Sequence, residues 1–114
     1  MREPSQVPRR PLDFIRRCIE QRKILWTYHV NVRLARRSIS RETLIASTDT
    51  LEIIEFYPDD RFLPSYLLLG RRQEEIFHVL IAVDSTHDNI RIVTMYHPDR
   101  KQWMEDLKTR RGGP

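Results

Sequence analysis

Ile76-Phe77-His78-Val79-Leu80-Ile81-Ala82-Val83 is an almost unbroken apolar run with one polar ring inside it. Such a run suits a central strand covered on both faces. Downstream, the turn-like stretch Asp84–Asn89 leads into Ile90–Tyr96, a second strand that Pro98 ends. Upstream, Tyr66–Leu69 is a short apolar run stopped by Gly70, and Leu51–Tyr57 is rich in β-branched and aromatic residues before the turn Pro58-Asp59-Asp60. Four strands with short connections pair antiparallel. The register of the last pair decides what His78 meets. A four-residue turn sets Val83 opposite Ile90 and puts His78 on a face with Met95 and Arg91; a five-residue turn sets His78 opposite Tyr96.

Before the strands the period changes. Leu12, Ile15 and Ile19 recur at helical spacing, so 12–23 reads as an amphipathic helix with Pro11 in its first turn. Trp26, Val30 and Leu34 stand at i, i+4, i+8 and predict a second helix over 27–37, capped by Thr27. His29, Arg33 and Arg36/Arg37 fall on the neighbouring stripe. Ser40 is placed to cap a third, short helix over 41–48, and Trp103, Met104 and Leu107 suggest a final short one. The expectation is therefore α+β: N-terminal helices packed on a four-stranded antiparallel sheet, with a short C-terminal helix. Residues 1–11, punctuated by Pro4, Pro8 and Pro11, read as a disordered arm, 12–110 as one domain, and 111–114 as a tail. Helices on one sheet face leave the other partly open as a binding surface.

Composition narrows the function classes. At 114 residues the chain is one domain with room for one core. No apolar run approaches the ~18 residues of a membrane helix, and Met1-Arg2-Glu3-Pro4 opens without an apolar signal segment. The single Cys18 excludes an internal disulfide and a cysteine-based zinc site, so a reducing cytoplasm is expected. Glycine occurs only at 70, 112 and 113, which removes phosphate loops and dinucleotide fingerprints, and no cofactor is expected. The histidines at 29, 78, 87 and 97 are not at metal-ligand spacing; His87-Asp88 and His97-Pro98-Asp99 read as turns. Residues 1–50 hold 11 Lys+Arg against 5 Asp+Glu, a net of +6, whereas the rest of the chain carries −2. Of the 20 cations 17 are Arg, whose planar fork suits phosphates and base edges. A polyanionic partner fits this asymmetry.

His29 with Arg33 one turn later is an acid–base group beside a cation able to hold a phosphate, or simply a solvated helix face. His78 inside its apolar strand is either a satisfied structural histidine or one pointing into a site. Thr94 and Tyr96 share a strand face, where Tyr96 can stack on a base or pack with its hydroxyl in solvent. Thr27-Tyr28-His29 with Arg33, Arg37-Ser38-Ile39-Ser40, Glu52-Ile53-Ile54-Glu55, Pro64-Ser65-Tyr66-Leu67, Phe77-His78-Val79 and Ile92-Val93-Thr94-Met95-Tyr96 with Pro98-Asp99 and Trp103 resemble, in order and spacing, the small bacterial domain-of-unknown-function family DUF4258 over roughly residues 24–110.

That resemblance implies a distant relation to RelE-like and barnase-like ribonuclease toxins, some encoded beside a zinc-ribbon antitoxin. It puts the family's recurrent polar positions on His29, Arg33, His78, Thr94 and Tyr96, and it expects a Gly at the Ser38-Ile39 turn that this chain lacks. The implied chemistry is metal-independent endoribonuclease action on the RNA's own 2′-hydroxyl. His29 and His78 would serve as base and acid, Arg33 would hold the phosphate, Tyr96 the base, and Arg36, Arg37 and Arg91 the backbone. The alternative is a non-catalytic nucleic-acid-binding or protein-interaction domain. Helices 27–37 and 41–48 even have a helix-turn-helix look, but Leu44-Ile45-Ala46 is apolar where base-reading residues belong.

Overall fold

The computed structural model describes residues 7–60 and 62–112. Pro11–Glu20 forms α1, Ile24–Trp26 β1, Tyr28–Arg36 α2 and Arg41–Ile45 α3. A 3-10 turn at Thr48–Thr50 leads into β2 (Glu52–Tyr57), β3 (Ser65–Arg72), β4 (Glu75–Asp84) and β5 (Asn89–Tyr96). The expected arm over 1–11 lies outside the described residues for 1–6, and Pro11 already belongs to α1. The tail expected over 111–114 is described only to 112.

The class is α+β, but the sheet has five strands, in the order β1-β5-β4-β3-β2. β1, which sequence reasoning did not foresee, lies parallel to β5, Ile24 opposite Ile90 and Trp26 opposite Ile92; the other pairs are antiparallel. The sheet is therefore mixed rather than purely antiparallel. β4 stands at its centre, and its alternation divides two apolar clusters. Phe77, Val79, Ile81 and Val83 face the helices and pack with Ile15 and Ile19 of α1, Val30 and Leu34 of α2, and Leu44 of α3. On the opposite face Ile76 and Leu80 pack with Leu67, Leu69, Trp103 and Leu107. Both sides of β4 are thus covered, which is why its apolar run is continuous.

The helices start and stop for local reasons. Pro11 opens α1, where its missing N–H costs nothing. Thr27 accepts the Val30 N–H at 3.2 Å and caps α2. Both helices end in paired turn bonds, Lys23 N–H to Cys18 carbonyl and Arg22 to Ile19 in α1, Ile39 to Leu34 and Ser38 to Ala35 in α2. Arg22 (φ 60°) and Ser38 (φ 54°) occupy the left-handed position usually taken by Gly. The turn without its expected Gly is accordingly made by Ser38. α3 ends at Ile45, short of 48, and Ser40 bonds the Thr43 hydroxyl rather than a backbone N–H. Ser47 and Thr48 bond the carbonyls of Thr43 and Ile45 and turn the chain out of the helix.

Two further expectations are corrected. Gly70 does not stop β3, which runs on to Arg72; it pairs with Phe77 and leaves room for that ring. The helix expected around Trp103 is absent: residues 97–112 form an irregular strap, closed by a Trp103–Arg110 bridge. Asp106 accepts the N–H groups of Lys108 and Thr109, a local alternative to helix, while Trp103 and Leu107 anchor the strap to the sheet. No helix among the described residues is long and apolar enough to cross a membrane.

Asp88, in the β4–β5 turn at φ 57°, ties α1 to the hairpin through Arg17 (2.5 Å) and Lys23 (2.6 Å). Hydrogen bonds from Arg17, then Lys23, hold its carboxyl well below the usual carboxylate range. A lowered carboxyl pKa stabilises the fold above about pH 4, and that contribution is lost as pH falls further. Asp88→Asn keeps the left-handed turn but not the charge. Its melting temperature is expected below wild type near pH 7, with a deficit that shrinks below about pH 4; a constant deficit in a pH series of thermal melts would show that charge is not the cause.

Candidate functional site

The strap covers only part of the sheet face opposite the helices. Beside it a groove of about 590 Å³ crosses the sheet from Phe56 and Tyr57 on β2, through turn residues 58–60 and over Leu67 and Leu80, to Thr94 and Tyr96 on β5, with Arg110 of the strap at its side. That volume lies within the range of small-molecule sites.

Two bulges aim the polar side chains into it. Leu80 pairs with Thr94 and Ile81 with Ile92, so Val93 is the extra residue on β5. Before the bulge Val83 faces Ile90; after it His78 faces Tyr96. Both registers left open by the sequence are therefore present, one on each side of Val93. Without that extra residue Thr94 and Tyr96 would share the helix-facing side with Ile90 and Ile92; with it, Met95 takes the core place and they line the groove. A second bulge at Ile54 separates the pairs Ile53–Leu68 and Glu55–Leu67. Ile53 packs on the helix-side cluster and Ile54 on the other.

Glu55, Tyr57 and Arg110, which sequence reasoning missed, form a connected set. Arg110 grips Glu55 with both arms, Nε to Oε2 at 2.8 Å and Nη2 to Oε1 at 3.0 Å, and lies 4.6 Å from the centre of the Trp103 ring. The Tyr57 hydroxyl donates to the same carboxylate. Burial opposes the charge on Glu55, but the bonds from Arg110 and Tyr57 outweigh it and hold the carboxyl below its ordinary value. The same pair raises Arg110. Glu55 and Tyr57 carry an i, i+2 strand signal; Arg110, beside the expected tail, carries none.

His78 has no exposed surface. Its Nε2 lies 2.6 Å from the Leu107 carbonyl, and a carbonyl only accepts, so Nε2 carries the proton. Nδ1 then accepts from the Tyr96 hydroxyl at 3.3 Å. The Trp103 ring stands edge-on at 4.5 Å. Burial pushes the imidazole below its ordinary pKa despite the Leu107 bond, so the ring is neutral near pH 7. Any part His78 plays in chemistry passes through Tyr96.

The remaining expected residues lie elsewhere. His29, Arg33 and Arg36 are exposed on α2. Arg37, the C-cap of α2, donates to the Thr94 hydroxyl (3.0 Å) and the Met95 carbonyl (2.9 Å) on the stretch of β5 that β1 leaves unpaired. It joins the helix stripe to the groove wall. At 1.5 Å per residue His29 is about 12 Å of helix axis away from Arg37. His29 therefore stands apart from the group of His78, Thr94 and Tyr96, while Arg33 lies between, one helical turn from Arg37. Arg91 is committed to the buried Asp84 at 3.2 Å, beside His87 on the same carboxylate. His97 pairs with Glu75 at 2.7 Å. No three His, Cys, Asp or Glu side chains gather as metal ligands among the described residues.

A family model described as a domain of unknown function, DUF4258, matches residues 26–97, and the chain belongs to that family. The matched span holds His29, Arg33, His78, Thr94 and Tyr96 but not the strap that brings Trp103 and Arg110. No curated protein and no solved structure matches the chain.

Proposed function

We propose that this DUF4258 protein is a metal-independent endoribonuclease of the toxin kind, which lays a single RNA strand along α2 and into the groove and is restrained by a partner protein of the zinc-ribbon type. The carrying observation is the Arg37–Thr94 bond, which makes the cationic face of α2 continuous with an aromatic groove. Arg33 and Arg36 face solvent where phosphates would run. Tyr57 and Tyr96 offer rings to a base. RNA supplies its own nucleophile, the 2′-hydroxyl, so the protein needs only a proton acceptor, a donor and a cation on the phosphate.

One observation favours the second reading, a non-catalytic RNA-binding module: His78 is sealed from solvent, and His29, the exposed imidazole of the expected pair, stands two helical turns from Arg37. Cleavage assays with EDTA separate the two. Wild type is expected to cut RNA and Arg33→Ala to lose the activity. Arg36→Ala should still cut but bind more weakly, with a salt slope reduced by about one unit. Salt-sensitive binding without cleavage would establish the module instead, and neither would refute an RNA role. Expression without its partner is expected to arrest growth of the host; undisturbed growth would count against a toxin.

A further inference from the structure

We infer that Tyr96 and His78 form a proton relay in which Tyr96 takes the proton of the attacking 2′-hydroxyl while passing its own to the buried His78. The inference rests on the ribonuclease reading and assigns that reading its base. Its ground is a directional chain of hydrogen bonds. The Leu107 carbonyl fixes the proton on Nε2, which leaves the Nδ1 lone pair facing the Tyr96 hydroxyl across a directly opposed strand pair. With its proton committed inward, the Tyr96 oxygen keeps a lone pair for the groove, which the ring lines. The buried Nδ1 needs a donor, and the group that supplies it is a tyrosine that also lines the groove.

The step balances. The 2′-O–H bond breaks and its proton goes to the Tyr96 oxygen. The Tyr96 proton goes to His78 Nδ1. The released electron pair on the 2′-oxygen forms the bond to phosphorus, and the bond from phosphorus to the 5′-oxygen breaks with its pair on that oxygen, which takes a proton from water. The products are a 2′,3′-cyclic phosphate and a free 5′-hydroxyl, and His78 is left as an imidazolium. The groups that act on that cation are Glu55 from β2, Tyr96 from β5, and Arg110 and the Leu107 carbonyl from the strap. The Glu55 carboxylate favours the cation and Arg110 opposes it. The proton returns to solvent through Tyr96. Tyr96 is the catalytic residue; His78, acting through it, is a positioning residue.

Two measurements test this. In nitrogen NMR of the wild-type protein His78 should show an unprotonated, accepting Nδ1 and a protonated Nε2; the opposite tautomer overturns the relay whether or not RNA is cut. In the cleavage assay Tyr96→Phe should lower kcat about 10²-fold or more. Its affinity for an uncleavable 2′-deoxy strand should stay within about threefold, and the acid limb of the pH profile, which belongs to His78, should disappear. Wild-type cleavage with Tyr96→Phe at full kcat and an unchanged acid limb overturns the relay and leaves the ribonuclease reading standing. A wild type that cuts no RNA overturns that reading and the relay with it.

Discussion

Gly70→Ala is expected to lower the stability of the fold by about 1–2 kcal/mol, and Gly70→Val by more. A Cβ at this position would stand 2.3 Å from Cζ and 2.8 Å from Cε1 of Phe77, and 3.0 Å from a methyl of Leu51. Phe77 has no exposed surface and Leu51 is 2 % exposed, so neither retreats without displacing the core around it. Relief of the backbone entropy of Gly returns only about 0.5–1 kcal/mol. Overpacking costs about 1–3 kcal/mol and sometimes more, so packing decides the sign. Urea unfolding measures it, and a second substitution identifies the cause. Phe77→Leu is destabilising alone but should recover part of the loss when combined with Gly70→Ala, because it removes the atoms that collide. A Gly70→Ala protein as stable as wild type would show that the ring shifts freely and that the strand merely tolerates Gly.

Gly70 also marks where sequence reasoning fails. As a letter it reads as a strand stop; its meaning comes from Phe77, its partner on the neighbouring strand, and no local pattern states that pairing. The same holds elsewhere. The central strand was legible because burial on both faces leaves a continuous apolar run. α2 was legible because Val30 and Leu34 keep helical spacing and Thr27 caps them. β1 was not, since Ile24-Leu25-Trp26 has no period of its own and becomes a strand only because the edge of β5 is free to receive it. The strap reads as a helix because Trp103 and Leu107 sit one helical turn apart, yet Asp106 binds the following N–H groups and turns the chain. At the candidate site, His78, Thr94 and Tyr96 were readable as polar groups on apolar strands. Their meeting depends on the extra residue at Val93, and the Glu55–Arg110 pair joins residues 55 positions apart.

Trp103→Ala should have the second large effect, about 3–5 kcal/mol if the strap and sheet unfold as one unit. Trp103 is 1 % exposed and packs with Leu67, Leu69 and Leu107. It also meets the His78 ring edge-on and carries the Arg110 cation on its face. Truncation leaves a large void against all of them. If the strap opens by itself, the global loss is capped at the strap's own docking energy, and the damage appears locally instead. Either way His78 loses the Leu107 carbonyl and its cover, and Arg110 leaves the groove. The sign for pH follows from the lowered imidazole pKa of wild type. Stability is full above the unfolded value of about 6.5 and declines as pH falls below it, because the unfolded chain takes up the proton more readily. Exposing His78 brings its folded pKa back toward that value and removes this dependence. Hydrogen exchange should show strap amides opening first, and NMR titration should show the His78 midpoint rising. A Trp103→Ala protein whose His78 titrates as in wild type would mean that the sheet alone keeps the ring dry, and the strap would then have no hold over the Tyr96–His78 pair.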